Sequence, residues 1–390
     1  MPANHAHAKS APPGRRGKRW PLAVALVAVA IVGVAVAAYS MRGGSSRATA
    51  TPTTAGAHEA AVSVNTGPLT IASITPADGT TGVSSDATIS VSFSVPLGAH
   101  SPAPTLTPAV AGIWQEVTPT TFAFVASSPL LPSSTETVTV PGGATGVVSE
   151  AGRTLAQSST VQFSVAAGST LRLQQILAQL GYLPVSFTPA GPLTAPQEAA
   201  QAQEGSFNWR WNEPSSLTSL WTVGTDNQIT KGAVMAFEST HNMTTDGAAG
   251  PTVWSQLLTD AATGAVNTSP YNYVVVTKTL PETVTVFSNG GAVYSTRANT
   301  GVAAAPTDSG TFPVYLRYTV TTMSGTNPDG SKYKDPGIPW VSYFNGGDAL
   351  HGFVRGSYGY PQSVGCVEML PADAGVVYPL TPIGTLVTVA

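Results

Sequence analysis

The apolar periodicity of this 390-residue chain changes twice, so neither a single sheet nor a single helical bundle accommodates it. From about residue 69 to 165 the period is two. Ile89, Val91 and Phe93 fall on one face of a predicted strand, and 137–140 and 161–165 repeat the alternation between Gly- and Pro-bearing turns. About a hundred such residues predict a β-sandwich. After residue 168 the period becomes helical. Leu173, Ile176, Leu177 and Leu180 form a stripe ended by Gly181; Thr230 is expected to cap a second helix bearing Ala233, Val234 and Phe237; Pro251 opens a third with Trp254, Leu257 and Leu258 inward. From residue 271 strands return at 272–277 and 283–287, with a hairpin through 288–294 and a further strand predicted over 314–320. The expected fold is multidomain and mainly β: a sandwich over 68–167, a small three-helix module over 168–262 and a mainly β C-terminal domain over 270–390. An insertion at 184–228 interrupts the helical module, and its Trp209, Trp211 and Trp221 are expected to serve in packing.

The N-terminus sets the compartment. Residues 1–20 carry Lys9, Arg15, Arg16, Lys18 and Arg19 and no acid, and 21–41 is an apolar run ending at a single arginine. As a helix this run approaches the ~30 Å of a hydrocarbon core, and the basic flank places everything beyond it outside the cell. A single-pass anchor in the cytoplasmic membrane is expected, with cleavage after Ala35-Val36-Ala37 and secretion as the alternative. Residues 42–67, rich in Ser, Thr, Ala and Gly, read as a spacer. The formal net charge of −3, with only 9% charged residues, argues against nucleic acid as a partner.

One cysteine is present, Cys366, so no internal disulfide explains it. A thiol served by an imidazole is a nucleophile. Of six histidines only His351 lies in the C-terminal domain, so it is the candidate base by elimination. Gly365 permits a tight turn at the cysteine, and the backbone N–H groups of Gly365 and Cys366 are expected to face an oxyanion. No Cys, His and Asp cluster has metal-ligand spacing, and neither metal nor cofactor is expected.

Three resemblances follow from these residues. The stretch 74–83 leading into the first clear strand resembles bacterial Ig-like domains. Leu180-Gly181-Tyr182, with Ala233, Val234, Phe237 and Asp246-Gly247-x-x-Gly250-Pro251-x-x-Trp254, resembles the three-helix peptidoglycan-binding module. His351-Gly352 and Ser363-x-Gly365-Cys366, with Thr300-Gly301, Pro306-Thr307 and Gly310, resemble the L,D-transpeptidases of the YkuD/ErfK family over about 270–390. This last resemblance implies that Cys366 attacks a peptidoglycan stem peptide, that His351 moves the proton and that the Gly352 carbonyl orients the imidazole. It also implies a role in substrate binding for Ser363, Tyr343, Tyr358, Trp340 and Glu368, and 3→3 cross-linking of donor and acceptor stems through a thioester. Glycan is a further expected partner and carbapenem β-lactams are expected acylating inhibitors. An L,D-carboxypeptidase using the same thiol, or a non-catalytic wall-binding protein, are the alternatives. Val364 and Glu368 depart from the family pattern, where His and Arg or Asn are common.

Overall fold

A computed structural model describes residues 67–192 and 201–390; the apolar run 21–41 and nearly all of the spacer lie outside the described residues. The first part contains β1 (Ile71–Thr75), β2 (Ile89–Phe93), β3 (Thr105–Thr107), β4 (Gly112–Thr118), β5 (Thr121–Ala126), β6 (Thr135–Val140) and β7 (Ser159–Ser164). They form two antiparallel sheets, β1-β2-β5-β4 and β3-β6-β7. Ile89, Val91 and Phe93 from one sheet and Val138, Val140 and Phe163 from the other close a common core, as period-two alternation requires.

The middle part contains α1 (Thr170–Gln179), β8 (Val185–Pro189), β9 (Gly205–Trp209), α2 (Ser215–Thr218), α3 (Gln228–Thr240) and α4 (Pro251–Thr263). Ser169 caps α1 by accepting the Arg172 N–H at 3.1 Å. The cap of α3 is Asn227 rather than Thr230, its Oδ1 accepting the Thr230 N–H at 2.9 Å. Asn227 is the last extended residue before the helix, which is what a cap requires. Thr230 is buried in the first turn instead, where its Oγ1 accepts Gln174 Nε2 at 3.0 Å. The described part of the insertion folds as the β8–β9 hairpin followed by α2, with Trp209 and Trp221 packed on the helical core.

That core is not closed by helices alone. Tyr273 and Leu386, from strands of the C-terminal sheet, belong to the same cluster as Leu177, Phe237 and Trp254. The contact is tight enough to demand glycine on both sides. A Cβ on Gly232 in α3 would lie 2.5 Å from the Gly384 oxygen, and one on Gly384 would lie 2.3 Å from the Gly232 oxygen.

The C-terminal part contains β10 (Asn272–Thr277), β11 (Thr283–Ser288), β12 (Gly291–Arg297), β13 (Gly310–Pro313), β14 (Leu316–Thr326), β15 (Lys332–Asn345), β16 (Asp348–Gly352), β17 (Val367–Met369), α5 (Pro371–Val377) and β18 (Leu386–Val389). Two sheets result, β12-β11-β10-β18-β13 and β14-β15-β16-β17. Val274, Val276, Val284, Val286 and Val387 of the first meet Phe344, Leu350, Val367 and Met369 of the second in one core. The strand expected over 314–320 is divided: Val314 is buried at a bend between β13 and β14, whereas Leu316, Tyr318 and Val320 are exposed on β14. Their alternation therefore marks an outer face. Among the described residues no helix is long and apolar enough to cross a membrane.

Candidate active site

Strand alternation assembles the site. In the parallel pair β16–β17, Leu350 lies opposite Val367 and His351 opposite Glu368. Leu350, Val367 and Met369 point into the core. The intervening His351 and Glu368, and Cys366 one step before β17, therefore share the other face. There His351, Cys366 and Glu368 line one cleft of about 320 Å³ together with Tyr333, Asp335 and Ile338 of β15.

Cys366 is partly exposed. Its thiol donates to the Gly347 carbonyl oxygen at 3.6 Å. Burial pushes the thiol up to about 12; the nearby Asp348 and Glu368 charges act in the same direction and the Ala349 N–H opposes them. His351 is buried, with Nδ1 3.1 Å from the Gly352 oxygen. A carbonyl only accepts, so Nδ1 carries the proton there and Nε2 is the basic nitrogen of the neutral ring. Burial lowers the imidazole below its ordinary value, against the opposing effects of the Gly352 carbonyl and the Glu368 charge. The resting pair is thus a thiol and a neutral imidazole.

The turn before the cysteine is fixed from two sides. Ser363 Oγ donates to the Cys366 carbonyl at 2.5 Å and accepts the Gly365 N–H at 3.2 Å. Thr307 Oγ1 donates to the Gly365 carbonyl at 2.6 Å while accepting the Gly301 N–H at 2.9 Å. Gly365 has φ +121°, and a Cβ there would lie 2.5 Å from Asp348 Oδ1. Asp348 itself is pushed up to about 6, chiefly by burial.

These contacts correct several expectations. The Gly365 amide, expected to face an oxyanion, is committed to Ser363. Ser363, expected to bind substrate, lines the cleft but is buried, with its hydroxyl committed to the turn. Glu368 is enclosed, its two oxygens taking Arg355 Nε at 2.7 Å and Nη2 at 2.8 Å. The Tyr358 hydroxyl donates to the Phe353 carbonyl at 2.7 Å and accepts the Arg355 N–H at 3.1 Å, bracing a loop. Trp340 lies outside the cleft lining, with its ring against Tyr378 at 5.5 Å and a backbone φ of +60°. Tyr343 packs against the same small cluster as Cys366 and makes ring contacts with Tyr315 and Tyr318 at 6.3 and 6.4 Å.

Sequence reasoning missed Arg355, Asp335, Asn299 and Glu282. Glu282 is buried and accepts both the N–H and the Oγ1 of Thr300 at 2.7 Å. Asn299 exchanges backbone hydrogen bonds with Glu368 at 2.9 Å, and its Oδ1 accepts the Gly359 N–H at 2.9 Å. Nothing local in the sequence marked Glu282 or Asn299.

Residues 271–389 match the family profile of the L,D-transpeptidase (YkuD) catalytic domain, and residues 65–165 that of a bacterial Ig-like domain. No curated protein matches the chain. Among solved structures, an L,D-transpeptidase from Mycobacterium smegmatis is similar at 13% identity, with 83% of this chain and 100% of that chain covered and a TM-score of 0.28. L,D-transpeptidase 3 from Mycobacterium tuberculosis gives 13% identity, 82% and 98% coverage and 0.29. The catalytic domain of the E. faecium L,D-transpeptidase acylated by ertapenem gives 23% identity, 32% and 100% coverage and 0.28.

Proposed function

We propose that the C-terminal domain is a cysteine-dependent L,D-transpeptidase that joins peptidoglycan stem peptides by 3→3 cross-links. The observation that carries this reading is the placing of Cys366 and His351 on one face of adjacent strands, in one cleft, within the matched catalytic domain. His351 Nε2 takes the thiol proton as sulfur bonds to the carbonyl carbon of the third stem residue. The tetrahedral intermediate collapses with cleavage of the C–N bond to the terminal D-alanine, whose amine receives the proton from the imidazolium. The side-chain amine of a second stem then attacks the thioester, its proton passes to His351, and sulfur leaves to be reprotonated. The Gly352 carbonyl keeps Nδ1 protonated throughout, the role a carboxylate plays in other Cys–His and Ser–His sites.

The apolar run 21–41 anchors the protein in the cytoplasmic membrane in this reading, with the catalytic domain facing the wall and the helical segment contributing a glycan contact. Carbapenems, which present a strained acyl carbonyl to a thiolate, acylate Cys366. The test is incubation of the protein and a Cys366→Ala variant with a purified stem tetrapeptide, followed by mass spectrometry of protein and products. The wild type forms an acyl-enzyme one tripeptide heavier and then a cross-linked dimer; the variant forms neither. Equal dimer yield from both proteins refutes the proposal, and tripeptide without dimer redirects it to the carboxypeptidase.

A further inference from the structure

The cleft holds a guanidinium that the reaction above does not use. Arg355 sits on the loop following β16, its side chain 31% exposed, whereas its partner Glu368 is only 6% exposed. The carboxylate is therefore enclosed and the guanidinium open. Two parallel hydrogen bonds, Nε to Oε2 and Nη2 to Oε1, fix the plane of the fork. The Phe353 ring lies beneath it at 4.6 Å, and the Arg355 N–H is held by the Tyr358 hydroxyl. A guanidinium has five N–H donors. Glu368 takes two, and among the described residues the other three have no side-chain or backbone acceptor. A clamped arginine with unused donors, in the wall of a cleft that contains a nucleophile, is built to bind an oxyanion from solution.

The span identifies which one. Cys366 and Glu368 are two strand residues apart on the same face, a backbone separation of about 6.6 Å, and the guanidinium lies a hydrogen bond of 2.7–2.8 Å beyond the Glu368 carboxylate. An attacked carbonyl sits ~3–3.5 Å from the sulfur, the carboxylate of the next residue lies at most ~3.6 Å further along the peptide, and its own hydrogen bond to the guanidinium adds ~2.8 Å. A substrate with a free C-terminal carboxylate one residue beyond the scissile carbonyl therefore covers the distance. Asp335, in the same lining, makes the cleft acidic on balance, so directed donors rather than net charge must do the attracting.

We infer that Arg355, held in place by Glu368, determines specificity for a donor peptide whose departing residue carries a free α-carboxylate. This rests on the transpeptidase reading of Cys366. It also accounts for Glu368 itself: a carboxylate beside the substrate's carboxylates is repulsive alone and useful as an arginine clamp.

The experiment compares a stem tetrapeptide with its C-terminal carboxamide, measuring the rate of acyl-enzyme formation on the full chain by intact mass. Charge-assisted hydrogen bonds of this kind give the acid a roughly 10- to 150-fold advantage in the wild type. Arg355→Gln brings the acid-to-amide ratio within about threefold of unity, and Arg355→Lys, which keeps charge and loses the fork, gives an intermediate ratio. Glu368→Gln, measured alongside with the melting temperature of each variant, lowers the ratio. A ratio near unity in the wild type, or an unchanged ratio in Arg355→Gln, overturns the inference while leaving the transpeptidase reading standing. No acyl-enzyme from either peptide overturns both.

Discussion

A thiol pushed up to about 12 beside a neutral imidazole predicts an unusual reactivity profile for Cys366. The perturbation is alkylation of the free protein by iodoacetamide between pH 6 and 10, followed by intact mass. At pH 7.5 a thiol at 12 is ionised to roughly 3 parts in 100,000, about a thousandfold less than one at 9. A more basic thiolate is intrinsically the better nucleophile, and a Brønsted slope near 0.4–0.5 returns about 15- to 30-fold over three units. The net expectation is alkylation ~30- to 60-fold slower than for a small-molecule thiol at 9, before any steric contribution. Restricted access also slows alkylation, so the shape of the profile decides rather than the absolute rate. The logarithm of the rate should climb with unit slope across the whole range, with no plateau. A plateau beginning near pH 7, the signature of a preformed thiolate–imidazolium pair, refutes this picture of a protonated resting site. With the resting pair neutral, proton transfer belongs to the attack on substrate itself, and replacing His351 by Ala should suppress acylation by stem peptide far more than alkylation by iodoacetamide.

Thr307→Val keeps the shape of the side chain and strands the buried Gly301 N–H and the Gly365 carbonyl together. Denaturant unfolding should show a loss of about 2–4 kcal/mol for the C-terminal domain, with slower acylation of Cys366 by a carbapenem. Gly365→Ala puts a Cβ 2.5 Å from Asp348 Oδ1 at a φ of +121°; acylation should fall by at least about tenfold, and Asp348→Ala in the same chain should recover only the part owed to the clash. Asn227→Ala removes the cap of α3, costing about 1 kcal/mol by thermal or denaturant unfolding, and should leave acylation unchanged.

Cys366 and His351 were legible in the sequence as candidates because each was unique: one thiol in the chain, one histidine in the C-terminal part. The face they share follows from strand alternation, a local property. The supporting residues were not legible because their partners are remote. Glu368 reads as a charge near substrate until Arg355, thirteen residues earlier and across a loop, is seen to neutralise it. Strand β15 was hidden for a different reason. Pro336, Gly337 and Pro339 interrupt its pattern with residues that ordinarily end strands, yet pairing with β14, with an irregularity in register between Ile338 and Asp335, carries the chain through them. Trp340, expected to bind substrate, has a backbone φ of +60° and packs its ring against Tyr378, outside the cleft lining.

The remote contacts converge on a short segment that belongs to no regular strand. Residues 298–302 run beside the Cys366 turn as a strand would, with Asn299 bonded to Glu368, and Thr300 accepting the Gln362 and Ser363 N–H groups at 2.9 and 3.0 Å. A segment without sheet neighbours on its other side needs its own anchor, and the buried Glu282 supplies one through Thr300. The side chain of Asn299 then reaches the loop that bears Arg355, accepting from Gly359 and donating to the Ser357 carbonyl at 3.2 Å. The same residue therefore holds the strand of Glu368 through its backbone and the loop of Arg355 through its side chain. The Cys366 turn, Glu368 and Arg355 are thus registered against one another through Asn299.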